Sequence, residues 1–266
     1  MLTNHIWELG RYLIINSCIG HMGRLGNQMW QVAFLLGIAH KHNYEWGIPS
    51  CGHDLFNTFA MPFTKKCDEN FPVILKESTH IFEPQWLQDC PDNIEIQGYW
   101  QNYKYWYDFQ QEISTEFDFL PEVLQPAVDY FQSLPNQVSS LHVRRGDYVN
   151  GNWHIKNMDY YTQALAILPK DHAVLVVSDD IAWCKNQSVF ASDRFIFYTS
   201  NNAAIDMAVI SLCANHIIAN SSFSWWAAWL SKSHDKIVIA PTPWISLYPD
   251  YYKDMTFPSW ITLNQV

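Results

Sequence analysis

"HAVLVVSDDIAWCKNQSVFASDRFIFYTSNNAAIDMAVISLCANHIIAN", residues 172–220, decides the fold. Three β-rich runs, "HAVLVVSDD" (172–180), "RFIFYTS" (194–200) and "HIIAN" (216–220), are separated by "IAWCKN" (181–186) and "NAAIDMAVISLCAN" (202–215). In the longer spacer Ile205, Ala208, Val209 and Leu212 recur at helical spacing. Continuous apolar strands alternating with helices predict a parallel sheet covered on both faces, hence an α/β fold.

The pattern extends in both directions. Upstream, "QVSSLHV" (137–143) reads as a strand and "NMDYYTQALAIL" (157–168) as a helix; downstream, "SSFSWWAAWLSK" (221–232) starts a helix and "KIVIAP" (236–241) is a last strand. A second strand–helix unit lies near the amino end. Tyr12 to Ile19 form its strand, Gly23 to Gly26 its turn, and Asn27 to Lys41 its helix. Met29, Val32, Ala33 and Leu36 follow the helical period, and Trp30, Phe34 and Ile38 widen the stripe until the helix is expected to be largely buried. Residues 44–136 between the units are punctuated by proline, from Pro49 to Pro135, and hold no sustained period. The expected organisation is therefore an amino-terminal domain over 1–135, a second domain over 136–242 and a carboxy-terminal tail over 243–266.

An apolar fraction of 48% over 266 residues is enough for a real core. The 13 Trp are expected mainly inside it, including Trp225, Trp226 and Trp229. A net charge of −10 argues against nucleic acid and anionic membrane as partners. The six cysteines form no C-x-x-C pair, so free thiols are the expectation. The amino-terminal segment "MLTNHIWELGRYLIINSCIG" carries Glu8 and Arg11 and no long apolar run, which reads as neither signal peptide nor membrane span. A cytoplasmic protein is the resulting expectation.

Ligands of open α/β sheets sit outside the carboxyl ends of the strands, so the residues after Val143 in "LHVRRGDYVN" (141–150) should face a crevice. Arg144 and Arg145 offer planar forks suited to phosphate oxygens, and Gly146 permits close backbone approach. Asp147 would orient an arginine or accept from a hydroxyl, while His142 is read as structural rather than as a base. Arg145-Gly146-Asp147 also spells an adhesion tripeptide, but that role needs secretion and an exposed, mobile loop. In "IANSSFSWWAAWL" (218–230), Ser221, Ser222 or Ser224 would cap a helix whose amino end is a ready anion site. "GRLGNQ" (23–28) is a glycine turn that matches neither the dinucleotide nor the Walker fingerprint. Asp179 and Asp180 close a strand, where a carboxylate suits a ribose, a guanine edge or a metal-nucleotide complex. Together these strand-end clusters predict a nucleotide or sugar-nucleotide site.

"GRLGNQMWQVAF", "GYWQNYKYW" (98–106), "LHVRRGDYV", "MDYYTQAL", "SDDIAWCK", "DMAVISLCANHIIANSSFSWWAAWL", "KIVIAPTPW" and the closing "PSW" occur in the order found in the α-1,2-fucosyltransferases of glycosyltransferase family 11, which the chain resembles from Gly23 to about Leu263. The resemblance implies a GT-B-like fold, two Rossmann-like halves facing across a cleft. It implies transfer of L-fucose from GDP-β-L-fucose, with inversion, to a galactose 2-hydroxyl. Arg144 would meet the donor β-phosphate, with Asp147 as candidate base or as the group that holds Arg144. Gly26, Asn27, Gln28, His142, Arg145, Ser178, Asp179, Asn220, Ser221, Ser222, Phe223 and Ser224 would form the donor site. No metal or other cofactor is expected, so Asp179-Asp180 would not act as a metal motif. The partners implied are GDP-fucose and a galactose-terminated glycan, with peripheral membrane contact if that glycan is lipid-linked. A fucosyltransferase of other linkage, one acting on protein, and a non-catalytic sugar-nucleotide binder stay open. "NGNWHIKN" (150–157) departs from the stretch many relatives carry there, which leaves the acceptor open as well.

Overall fold

The computed structural model describes residues 13–68, 71–151, 153–155, 157–250 and 252–265. Tyr12 and the amino-terminal residues Glu8 and Arg11, on which the reading of that segment turned, lie outside the described residues, as do Asn152 and Lys156 of 150–157.

Two wholly parallel sheets carry the chain. The first is built from β1 (Leu13–Ile15), β2 (Glu45–Ile48), β3 (Lys65–Lys66), β4 (Ile74–Lys76) and β5 (Ile94–Gln97), in the order β3-β2-β1-β5-β4. The second contains β6 (Val138–Val143), β7 (Ala173–Ser178), β8 (Phe195–Tyr198), β9 (Asn215–Ile217), β10 (Val238–Thr242) and β11 (Ile261–Asn264), in the order β11-β10-β9-β6-β7-β8. Residues 243–266, set apart in the sequence as a tail, thus supply an edge strand to the second sheet. Each order reverses once, between β1 and β5 and between β6 and β9. At such a switch point the flanking crossovers leave on opposite faces and open a crevice at the strands' carboxyl ends.

Nine helices are described: α1 (Leu25–His42), α2 (Gln85–Gln88), α3 (Gln110–Glu116), α4 (Pro121–Gln132), α5 (Gly146–Asn150), α6 (Asp159–Ile167), α7 (Ile181–Lys185), α8 (Ala203–Ser211) and α9 (Ser222–Leu230). The first strand is shorter than expected, since the chain leaves the sheet after Ile15 and turns toward α1. The periodless 44–136 segment holds four short strands, two of them only two and three residues long.

Helix α1 is buried from Leu25 to Ala39 except at Asn27, because it packs against the first sheet on one side and α9 on the other. The expected tryptophan core lies at that helix contact. Trp30 stands 4.3 Å from Trp225 and 5.0 Å from Trp226, and Trp106 stacks on Trp226 at 5.4 Å. All four are fully buried, whereas Trp229 is half-buried at the cluster's margin. Rings from both halves of the chain share this cluster, so it sets the distance between the two sheets. Trp226→Ala should lower the unfolding free energy by about 3–5 kcal/mol, read as a shifted urea midpoint at unchanged slope.

Among the described residues no helix is long and apolar enough to cross a membrane. All six cysteines are free.

Candidate active site

A cavity of about 960 Å³ lies where the two switch points face each other. The first sheet contributes Gly23, Arg24, Gly26 and Asn27 after β1, and Tyr99 and Gln101 after β5. The second contributes Arg144, Asp147 and Tyr148 after β6, Ser178 and Asp179 at the end of β7, and Ser221, Ser222 and Phe223 after β9.

Arg144 leaves β6 directly into this cavity. Its guanidinium is bonded to Asp147 through Nη2 and to Asp179 Oδ2 through Nη1 at 2.8 Å. The Tyr148 ring lies 5.0 Å from its central carbon. Two of its five N–H donors are used in this way, which leaves three for a ligand. Gly146 lets Asp179 come close, since a Cβ there would lie 2.5 Å from the Asp179 carboxylate. Asp147 is engaged on both oxygens, by Arg144 and by Arg24 Nη2 at 3.5 Å from across the cavity.

Arg145 does not join the lining. Its guanidinium sits 3.8 Å over the Trp183 ring and its Nε donates to Asp180 Oδ2 at 3.2 Å. Only its backbone N–H serves the site, donating to Asp179 Oδ1 at 2.8 Å. The side chain's role as a donor contact is therefore corrected: successive residues leaving a strand point to opposite sides, so one arginine faces the cavity and the other the protein. Asp180 caps α7 by accepting from Trp183 N at 3.1 Å. The Arg145-Gly146-Asp147 tripeptide forms the head of α5, held by these partners, and is no protruding loop.

His142 is buried at 5% exposure in the cavity wall, with its ring 5.3 Å from Phe223. Burial, and then the neighbouring Arg144 charge, push its imidazole down to about 3, so it is neutral at physiological pH. Among the described residues its buried Nδ1 has no hydrogen-bond partner.

Ser221 occupies the N-cap position of α9, but no side chain caps that helix, contrary to expectation. Ser222 Oγ instead donates to Asn27 Oδ1 at 2.7 Å, and Gln101 Nε2 donates to the same oxygen at 2.7 Å. The head of α9 is thereby fixed to the head of α1 and remains open toward the cavity. Gly26 makes this possible: a Cβ there would lie 2.6 Å from Phe223 N and 2.7 Å from Ser222 C.

Three more residues expected at the donor lie behind the wall. Gln28 is buried and accepts from Asp54 N at 3.2 Å, which ties the loop after β2 to α1. Asn220 donates to Trp153 O at 2.7 Å, and Ser224 is buried within α9, bonding back to Ala219 O and Ser221 O.

Sequence reading passed over Thr199, Asn201 and Asp206, which line the cavity beyond β8. Asp206 accepts from Ser200 N and Ser200 Oγ, each at 2.7 Å. The strand-end rule already used for β6 would have flagged this turn. His80, Tyr99 and Gln101 were passed over too, although Tyr99 and Gln101 lie within the quoted "GYWQNYKYW" block. Among the described residues no group of three His, Cys, Asp or Glu side chains is placed to hold a metal ion.

The sequence model of the family described as glycosyl transferase family 11 matches residues 13–264. The O-antigen biosynthesis glycosyltransferase WbnK of Escherichia coli is 38% identical over 47% of this chain and 44% of its own length, so the match spans less than half of that protein. An α-1,2-colitosyltransferase of Escherichia coli is 30% identical over 84% of this chain and 90% of its own. Galactoside 2-alpha-L-fucosyltransferase SEC1 of Bos taurus is 26% identical over 80% of this chain and 64% of its own. Among solved structures, an Arabidopsis thaliana FUT1 variant in complex with GDP superposes with a TM-score of 0.59 at 15% identity, covering 89% of this chain and 72% of that one. That likeness extends to the fold, the GT-B arrangement of two α/β halves.

Proposed function

The chain belongs to glycosyl transferase family 11, and on that premise we propose that it moves L-fucose from GDP-β-L-fucose to the 2-hydroxyl of a β-galactoside. The product is an α-1,2-linked fucoside formed with inversion. One observation carries the reading: Arg144 and the uncapped head of α9 face one cavity, on either side of the β6/β9 switch point.

Departure of GDP gathers negative charge on the diphosphate while the sugar becomes oxocarbenium-like. The three spare N–H groups of Arg144 neutralise that charge from one side. The amides opening α9 do so from the other, aided by the helix dipole. Asp147 and Asp179 hold the guanidinium in place beforehand, so little reorganisation is needed as the bond breaks. With both oxygens on arginines, Asp147 acts as the residue that positions Arg144 and not as the base. The nucleoside lies toward Ser178, Asp179 and the β8 turn with Asp206. Asp179 and Asp180 are committed to arginines and to a helix cap, which supports transfer that needs no metal.

A second reading changes only the donor. The relative matched over 84% of this chain transfers colitose, the 3-deoxy counterpart of fucose. Both are tested by offering GDP-fucose and GDP-colitose with a panel of β-galactosides, the product linkage being read by NMR. The proposal expects GDP release with GDP-fucose, an α-1,2 linkage, and rates unchanged by EDTA. Faster turnover with GDP-colitose favours the second reading, and binding without turnover on any acceptor defeats both.

A further inference from the structure

We propose that the indole of Trp153 is the platform on which the acceptor galactoside stacks while its 2-hydroxyl meets the fucosyl carbon. The proposal rests on the transferase reading above. Among the described residues Trp153 is the only exposed tryptophan, at 44%, and it lines the cavity. An indole left in water at the wall of a binding cavity is apolar surface that a ligand covers.

Sheet order places this ring past the diphosphate, on the side away from the nucleoside. The nucleoside side of the switch point is β7 and β8, with Asp179, Thr199 and Asp206. The other side is β9 and β10, and the chain after α5 crosses to it. Asn220, which follows β9, donates to Trp153 O at 2.7 Å. At the start of α6, Tyr160 Oη bonds Ile218 O and Ile239 O at 2.6 and 3.1 Å. Trp244, Ile245 and Tyr248, which follow β10, line the cavity on this same side. A GDP-sugar laid from β8 to the β6/β9 switch point leaves this aromatic wall to the sugars.

The ring is positioned before any ligand arrives. Trp153 N donates to Tyr148 O at 2.9 Å, so together with the Asn220 contact the backbone is held on both sides of the side chain. Gly151 backs the ring: a Cβ there would lie 2.9 Å from Trp153 Cδ2 and Cε3 and 3.1 Å from Cε2. The Tyr148 ring meets the indole at 6.0 Å and 88°, and Tyr148 itself lies against the Arg144 guanidinium. One side chain thus links the platform to the arginine that receives the leaving group.

A β-galactoside suits such a surface. Its C–H groups at C3, C4 and C5 gather on one face, because the 4-hydroxyl is axial on the other. These weakly positive hydrogens complement the negative face of an aromatic ring. The 2-hydroxyl is equatorial, so stacking by that face leaves it at the ring's edge, clear to approach the fucosyl carbon.

The test compares wild type, Trp153→Ala and Trp153→Phe with GDP-fucose and lactose, or with the donor and β-galactoside the wild type uses best. Trp153→Ala should raise the acceptor KM about tenfold, with kcat within about threefold and GDP affinity by calorimetry unaltered. Unchanged GDP affinity also reports an intact fold. Trp153→Phe keeps a ring and should raise the acceptor KM by no more than about threefold. Saturation-transfer NMR of lactose with the GDP-loaded wild type should pick out the galactose C3, C4 and C5 protons, and the signal should fade in Trp153→Ala. An acceptor KM within about twofold of wild type in Trp153→Ala overturns the proposal. So does lost GDP affinity, which assigns the ring to the donor, or Trp153→Phe as impaired as Trp153→Ala. A wild type that binds GDP-fucose but turns over on no acceptor removes the transferase reading, and this proposal with it.

Discussion

Arg144→Ala is expected to lower kcat by about 10²–10³-fold, the cost of removing one preorganised donor from a developing anion. Two carboxylates hold this guanidinium before any ligand arrives, so its contribution is electrostatic and already oriented. Arg144→Lys should recover little of the loss. An ammonium places one point charge, and it cannot bond both Asp147 and Asp179 while presenting a fork to the diphosphate. The fold should survive, because Asp147 keeps Arg24 and Asp179 keeps the backbone N–H of Arg145. Initial rates at saturating GDP-fucose, with far-ultraviolet circular dichroism as the control, measure this. A variant that is folded and within about threefold of wild type would show that Arg144 does not face the leaving group.

Gly26→Ala should rank second, although it adds only one methyl. The atoms its Cβ would meet are Phe223 N and Ser222 C, which belong to backbone and cannot rotate aside. The heads of α1 and α9 must then separate, which breaks the Ser222–Asn27 hydrogen bond and tilts the α9 amides away from the diphosphate. Overpacking of this kind costs about 1–3 kcal/mol of stability. A shift approaching 1 Å in a positioning element lowers rates by as much as about 10²-fold. Both effects should appear in one variant, the first in a denaturant titration and the second in kcat/KM for GDP-fucose. Stability loss with unchanged kcat/KM would separate the helix contact from catalysis.

Much of the second sheet could be read from the sequence because its strands are buried on both faces and flanked by periodic helices. The residues after Val143 and after Ile217 could be located for the same reason: once the parallel sheet is inferred, its carboxyl ends are fixed. What the linear pattern did not separate was Arg144 from Arg145, because side-chain direction at a strand exit depends on backbone angles that no residue type dictates. Ser222 was one of three serines offered as a helix cap, yet its hydroxyl reaches Asn27, 195 positions away. Such a contact exists only after the halves have docked. Beyond β1, the first sheet stayed hidden because strands such as Lys65–Lys66 and Ile74–Lys76 are too short to show alternation. His80 went unnoticed with them, since it joins the cavity lining only in the fold.

A crystal structure of the chain with GDP bound tests the central claim most directly. The account predicts a β-phosphate within about 3.2 Å of the Arg144 guanidinium and of the amides opening α9, with the guanosine extending toward Asp179 and Asp206. GDP bound elsewhere, or with its diphosphate away from both Arg144 and the head of α9, would contradict it.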